Sequence, residues 1–244
     1  MPLRETDWLE KNINKVKIID CSWHMPQTNR DGFKEYKKRH IENAIFFDLD
    51  ENSKKNTHLP HMLVEIDVWE KIVSKMGITN DDEIIIYDNS DVISSCRCWF
   101  NFIYFGHDPK LVHVLNGGLS KWVDERRKVT DETRKVKISN YKSFEKIDLV
   151  KTKKLIDQNI DKQIFKVIDA RSLERFKGQV QEPRKGLRSG NIKNSMCIPF
   201  QNCLNKNKTF KNKDELIAVF KTCLKNLNEK NIVFSCGSGV TACV

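Results

Sequence analysis

The sequence predicts an α/β fold written twice, two copies of one parallel-sheet domain joined by a polar linker. Three observations predict it. Short apolar runs recur at a nearly constant spacing, those runs lack the alternation of a half-exposed strand, and helix-periodic segments lie between them.

The repeats come first. Val16-Lys17-Ile18-Ile19-Asp20 matches Phe165-Lys166-Val167-Ile168-Asp169 at an offset of 149. His40-Ile41-Glu42-Asn43-Ala44 matches Asn191-Ile192-Lys193-Asn194-Ser195 at 151, each leading into another apolar run. Glu83-Ile84-Ile85-Ile86-Tyr87-Asp88 matches Asn231-Ile232-Val233-Phe234-Ser235-Cys236 at 148. The runs of four to five residues read as strands buried on both faces. Between them Val64 to Met76 carries Ile66, Trp69, Ile72, Val73 and Met76 near helical spacing, and strand alternating with helix is the α/β signature. In the first copy a helix near Ser95 to Phe105 follows, then the strand Leu111 to Leu115 and the segment Gly117-Gly118-Leu119-Ser120-Lys121-Trp122. The expected divisions are 1–126 for a first, catalytically silent domain, 127–148 for the linker, and 149–244 for a second, catalytic domain. Only eight residues follow Cys236 and the counterparts of the first copy's last elements are missing, so the second domain is expected to be truncated at its C-terminal side.

Composition narrows the classes. The hydrophobic fraction is 39%, the charged fraction 31%, and no apolar run reaches the roughly 20 residues of a membrane span. The N-terminus lacks the apolar centre of a secretory signal, so a cytoplasmic location is expected and the eight cysteines are expected as thiols. The net charge of +10 is spread over Lys- and Asn-rich stretches without interleaved aromatics, which argues against a nucleic-acid face. Cys96-Arg97-Cys98 has no second Cys/His pair at zinc spacing, so no metal is expected.

The chemistry concentrates at Cys236-Gly237-Ser238-Gly239-Val240-Thr241. A cysteine at the end of a buried strand, followed by glycines and the start of a helix, stands where backbone N–H groups converge on its sulfur. Those groups and the helix dipole favour a nucleophilic thiolate, and Ser238 and Thr241 are expected to add hydroxyl donors. A cysteine phosphatase would need an arginine closing the loop, and Ala242 stands there instead.

The loop Cys236 to Ala242 resembles the neutral active-site loop of the mercaptopyruvate sulfurtransferase branch of the two-domain rhodanese family. So do Asp20-Cys21-Ser22-Trp23, His40-Ile41, Phe46-Phe47-Asp48-Leu49-Asp50, His61-Met62-Leu63, Gly117-Gly118-Leu119 with Trp122, Asp169-Ala170-Arg171 and Glu182-Pro183-Arg184. His24, Asn43 and Asn194 depart from the residues more usual there, and relatives extend beyond Val244. The resemblance implies tandem rhodanese-like domains and a persulfide carried on Cys236. Arg175 and Arg184 then hold the substrate's carboxylate and carbonyl, with Gly237, Gly239, Val240 and Thr241 forming the cradle, and Arg171 and Arg188 are competitors for the arginine roles. Ser238, His61 and Asp50 form a proton-moving triad in which the last two reach over from the first copy, and His58 competes with His61. Asp88, in the place of Cys236, cannot carry a sulfur atom. No cofactor is implied. The sulfur donor is 3-mercaptopyruvate and the acceptor a thiol, thioredoxin or cyanide, and membrane and nucleic-acid partners are not expected. A thiosulfate sulfurtransferase and a non-catalytic rhodanese-like binding module are the alternative readings.

Overall fold

A computed structural model describes residues 2–244, which form two compact units: 2–147 with Asn207–Thr209, and Asp148–Lys206 with Phe210–Val244. Each is an α/β sheet flanked by helices.

The first unit holds β1 (Leu3–Arg4), α1 (Thr6–Asn12), β2 (Lys17–Asp20), α2 (Gly32–Lys38), β3 (His40–Ile41), β4 (Ala44–Phe46), α3 (Ile66–Lys75), β5 (Ile84–Tyr87), α4 (Ser94–Tyr104), β6 (Val112–Leu115), α5 (Gly118–Asp124) and β7 (Val129–Thr130). Its main sheet runs β1-β6-β5-β2-β4, parallel throughout, while β3 and β7 form a small antiparallel pair. All four residues of β5 and of β6 are buried, as the unbroken apolar runs require of strands covered on both faces. The core includes Leu9, Ile18, Ile41, Ile85, Leu115, Leu119 and Trp122.

The second unit holds α6 (Lys153–Lys162), β8 (Lys166–Asp169), α7 (Leu173–Phe176), β9 (Met196–Cys197), α8 (Lys213–Lys221) and β10 (Ile232–Ser235). Its parallel sheet runs β10-β8-β9, and a smaller core gathers Ile168, Ile198 and Leu224.

The repeat is exact at the point that matters for chemistry. Asp20 of β2 pairs with Tyr87 of β5, and Asp169 of β8 pairs with Ser235 of β10. The next backbone bond is also shared: Cys21 N–H donates to the Tyr87 carbonyl and Ala170 N–H to the Ser235 carbonyl, both at 2.8 Å. This register delivers Asp88 and Cys236 to equivalent places. Asn43 and Asn194 are equivalent too, with φ of 66° and 65°. Asparagine is among the few non-glycine residues that tolerate this left-handed backbone, which accounts for both departures from the family pattern.

The segment expected as linker, 127–148, corrects that expectation, because nearly all of it is packed on the first unit. Arg127 bonds Asp7, Glu10 and Glu125, β7 pairs with β3, and Tyr141 is 1% exposed and stacks on His107. Phe144 N–H then donates to Phe105 and Lys146 N–H to Tyr104. A polar sequence hid a segment whose backbone donors and one tyrosine are satisfied by distant residues. Among the described residues no helix is long and apolar enough to cross a membrane.

Candidate active site

Cys236 follows β10 directly and is half-buried. The Gly239 N–H donates to its sulfur at 3.1 Å, which is possible because Gly239 takes φ of 73° and turns its amide back over the loop. Gly237 and Ser238 are half-buried and Val240 is 2% exposed, anchoring the loop from below, while Thr241 opens a single 3₁₀ turn over Thr241–Cys243. The expectation that hydroxyls would join the cradle is corrected: neither Ser238 nor Thr241 bonds the thiol, and a backbone N–H does so instead. A loop this tight turns amides inward more readily than side chains.

Two arginines reach this loop. Arg184 Nη2 donates to the Gly237 carbonyl at 2.7 Å, and a Cβ added at Gly237 would lie 3.0 Å from Nη2 of Arg175. Glycine at 237 is therefore what admits a guanidinium to the loop. Arg175 is held by Glu182, donating from Nε at 3.2 Å and from Nη2 at 2.6 Å, and this guanidinium keeps the Glu182 carboxyl below its ordinary range. Arg171 is committed to structure. It grips Asp169 with Nε and Nη2, Glu182 with Nη1 and the Gly190 carbonyl. Arg188 is exposed. Three guanidiniums, Arg171, Arg175 and Arg184, face two carboxylates, Asp169 and Glu182, so one positive charge is left unbalanced at the loop that holds the thiol.

In the first unit His61 and Asp50 form a preassembled pair. His61 Nε2 lies 2.9 Å from Asp50 Oδ1, and Trp23 Nε1–H donates to Asp50 Oδ2 at 2.9 Å. The bond from His61 holds the Asp50 carboxyl below its ordinary value, and a carboxylate only accepts, which puts a proton on Nε2. Nδ1 is buried and unbonded. Trp23 also packs edge-on against the His61 ring, centroids 4.8 Å apart. His61 sits at φ of 54°, its carbonyl held by the buried Arg97, whose Nε donates to Asn101. Competing His58 is exposed.

Sequence reasoning assigns no role to Glu182, Trp23 or Arg97. Glu182 and Trp23 stand inside the motifs quoted for the resemblance, whereas Arg97 stands between two cysteines. Asp88 is 5% exposed, with Oδ1 accepting from the Ser90 N–H at 2.8 Å and Oδ2 from the Ser95 N–H at 2.9 Å. Burial pushes its carboxyl above the ordinary range. All eight cysteines are thiols, and no group of three or more His, Cys, Asp or Glu among the described residues could hold a metal ion.

A cysteine cradled at the end of a parallel strand, beside arginines, in the second of two like-built domains defines a rhodanese-type protein. Residues 5–125 match the family described as Rhodanese-like domain. The chain is 36% identical over 266 aligned positions to thiosulfate/3-mercaptopyruvate sulfurtransferase 1, mitochondrial, of Arabidopsis thaliana, covering 100% of this chain and 69% of the relative. It is 34% identical to the 3-mercaptopyruvate sulfurtransferase of Mus musculus, covering 96% and 78%, and 34% identical to the thiosulfate sulfurtransferase of Bos taurus, covering 99% and 83%. The crystal structure of a 3-mercaptopyruvate sulfotransferase from Escherichia coli superposes with a TM-score of 0.89 at 27% identity, covering 100% of this chain and 91% of that one. The chain belongs to the two-domain rhodanese family of sulfurtransferases.

Proposed function

We propose that the chain moves sulfur from 3-mercaptopyruvate through a Cys236 persulfide to a thiol, thioredoxin or cyanide acceptor. The observation that carries the reading is the Cys236 sulfur held by the Gly239 N–H while Arg184 bonds the carbonyl of the next residue. In the first half-reaction the Cys236 thiolate attacks the substrate sulfur. The C–S bond breaks, its electron pair goes to the methylene carbon, and pyruvate departs as its enolate to be protonated there. In the second half a nucleophilic acceptor attacks the outer sulfur of the persulfide and restores the thiolate. Arg184, together with the Glu182-steadied Arg175, supplies the positive charge that orients the carboxylate. The His61 and Asp50 pair supplies an acid–base group of the first unit.

Neutral Gly237 and Ser238 after the cysteine favour an α-keto carboxylate over a dianionic sulfur oxyanion, which would gain from basic residues there. Incubation with 3-mercaptopyruvate in the absence of acceptor is expected to add one sulfur atom to Cys236, read by mass spectrometry of the loop peptide. An unmodified peptide together with pyruvate release no faster than the uncatalysed rate sinks the proposal, and faster turnover of thiosulfate than of mercaptopyruvate reassigns the donor.

A further inference from the structure

The copy without the thiol keeps part of the second unit's loop architecture. Arg30 Nη2 donates at 3.1 Å to the carbonyl of Asn89, the residue after Asp88, just as Arg184 donates to the residue after Cys236. A glutamate again fixes a guanidinium: Glu35 takes Arg30 through two bonds of 2.7 and 2.6 Å, as Glu182 takes Arg175.

Beside Arg30 opens a cavity of about 320 Å³. That is the lower end of the range for small-molecule pockets, roughly 300 to 1,000 Å³. Tyr36 and Leu119, 5% and 3% exposed, supply an apolar wall. Lys38 and Arg39 also line it, both exposed and neither in an ion pair. Arg30 and Glu35 neutralise each other. The remaining acid, Asp20, is 1% exposed and already accepts from the Ser22 N–H at 2.9 Å and from the Ser22 hydroxyl at 2.5 Å. Two uncommitted cations at the mouth, one capped acid at the floor and an apolar wall match a ligand with a single negative charge and a short carbon skeleton. With Arg30 and Glu35 paired, Lys38 and Arg39 set against an ionised Asp20 leave one net positive charge, which a monoanion balances.

We infer that this cavity is a second, non-reacting site for a small organic monocarboxylate, with Arg39 and Lys38 taking the carboxylate and Tyr36 and Leu119 flanking its carbon atoms. No sulfur is transferred there, because Asp88 occupies the nucleophile's place. The inference stands apart from the sulfur-transfer reading, since it concerns the copy that lacks the thiol.

The test is a titration of the full, ¹⁵N-labelled chain with pyruvate, following the backbone amides of Ser22 and Asn89 for this cavity and of Gly237 and Gly239 for the Cys236 loop. Saturable shifts are expected at Ser22 and Asn89. Arg39→Glu is expected to weaken them at least about tenfold, the loss of a charge-assisted bond, while leaving the Gly237 and Gly239 responses and the rate of sulfur transfer unchanged. Arg184→Ala should spare the Ser22 and Asn89 shifts. Shifts confined to the Cys236 loop, no shifts at all, or shifts at Ser22 and Asn89 that survive both Arg39→Glu and Lys38→Glu overturn the inference. Inorganic phosphate acting as strongly as pyruvate overturns the carboxylate assignment.

Discussion

Asp88 and Cys236 leave equivalent strands into equivalent loops, yet one loop closes over a buried side chain and the other leaves its sulfur half-open. Asp88 is buried and its own carboxylate takes the inward N–H groups of Ser90 and Ser95. Cys236 is half-buried, receives the Gly239 N–H, and has guanidiniums beside it. A loop that turns N–H groups inward attracts negative charge. At Asp88 the side chain that takes the inward N–H groups is fixed and buried, whereas at Cys236 the sulfur that takes one remains half-open. The strand before each loop differs in the same sense. Asp169 is gripped by Arg171, whereas the equivalent Asp20 has no guanidinium partner, and burial pushes it up to about 7 against the lowering effect of hydrogen bonds from Ser22 and Tyr87.

The largest expected effect comes from exchanging the two loop residues. Cys236→Ser is expected to lower sulfur transfer by at least about 10⁴-fold, the scale of removing a covalent nucleophile. Asp88→Cys is expected to gain no second sulfur, because a side chain placed there is shielded from substrate. Two sulfur atoms per chain in the mass spectrum of Asp88→Cys would break the comparison.

Asp20 sharpens it through stability. Its folded value of about 7 exceeds the ordinary 3.8, so between about pH 4 and 7 the folded chain keeps a proton that the unfolded chain releases. Its contribution therefore favours folding at low pH and is lost as pH rises through that window, by as much as about 4 kcal/mol at 1.36 kcal/mol per pH unit. In Asp20→Asn, urea unfolding of the first unit at pH 5 and pH 8 should show this decline removed. An unchanged decline would show that Asp20 and Asp169 differ less in charge than in neighbours.

His61→Ala is expected to lower kcat about 100-fold, the lower end for a positioned acid–base group. An unchanged kcat alongside lower thermal stability would make the Asp50 and His61 pair, with Trp23 and Arg97 behind it, a structural feature of the first unit. The smallest effect is expected for Arg184→Lys, which keeps the charge but loses the planar fork. The KM for 3-mercaptopyruvate should rise about tenfold with kcat little changed, as measured by steady-state kinetics.

The sequence determined the duplication, because buried parallel strands must be short and apolar and three different segments cannot each recur at offsets of 148 to 151 without repeating the fold. It also determined where Cys236 stands, since a residue following a strand is placed by that strand's register. Only the tertiary structure decided what surrounds it. Arg171, Arg175 and Arg188 look alike in sequence, and the buried carboxylates of Asp169 and Glu182 sort one to structure and steady another beside the loop. His58 and His61 are three residues apart, and Asp50, Trp23 and Arg97 select the second. The polar stretch after Arg127 became part of a domain for the same reason, through bonds to residues far along the chain. Local spacing fixes backbone elements, whereas the partner of a charged or hydrogen-bonding side chain is chosen by burial among residues tens of positions away, which no local pattern records.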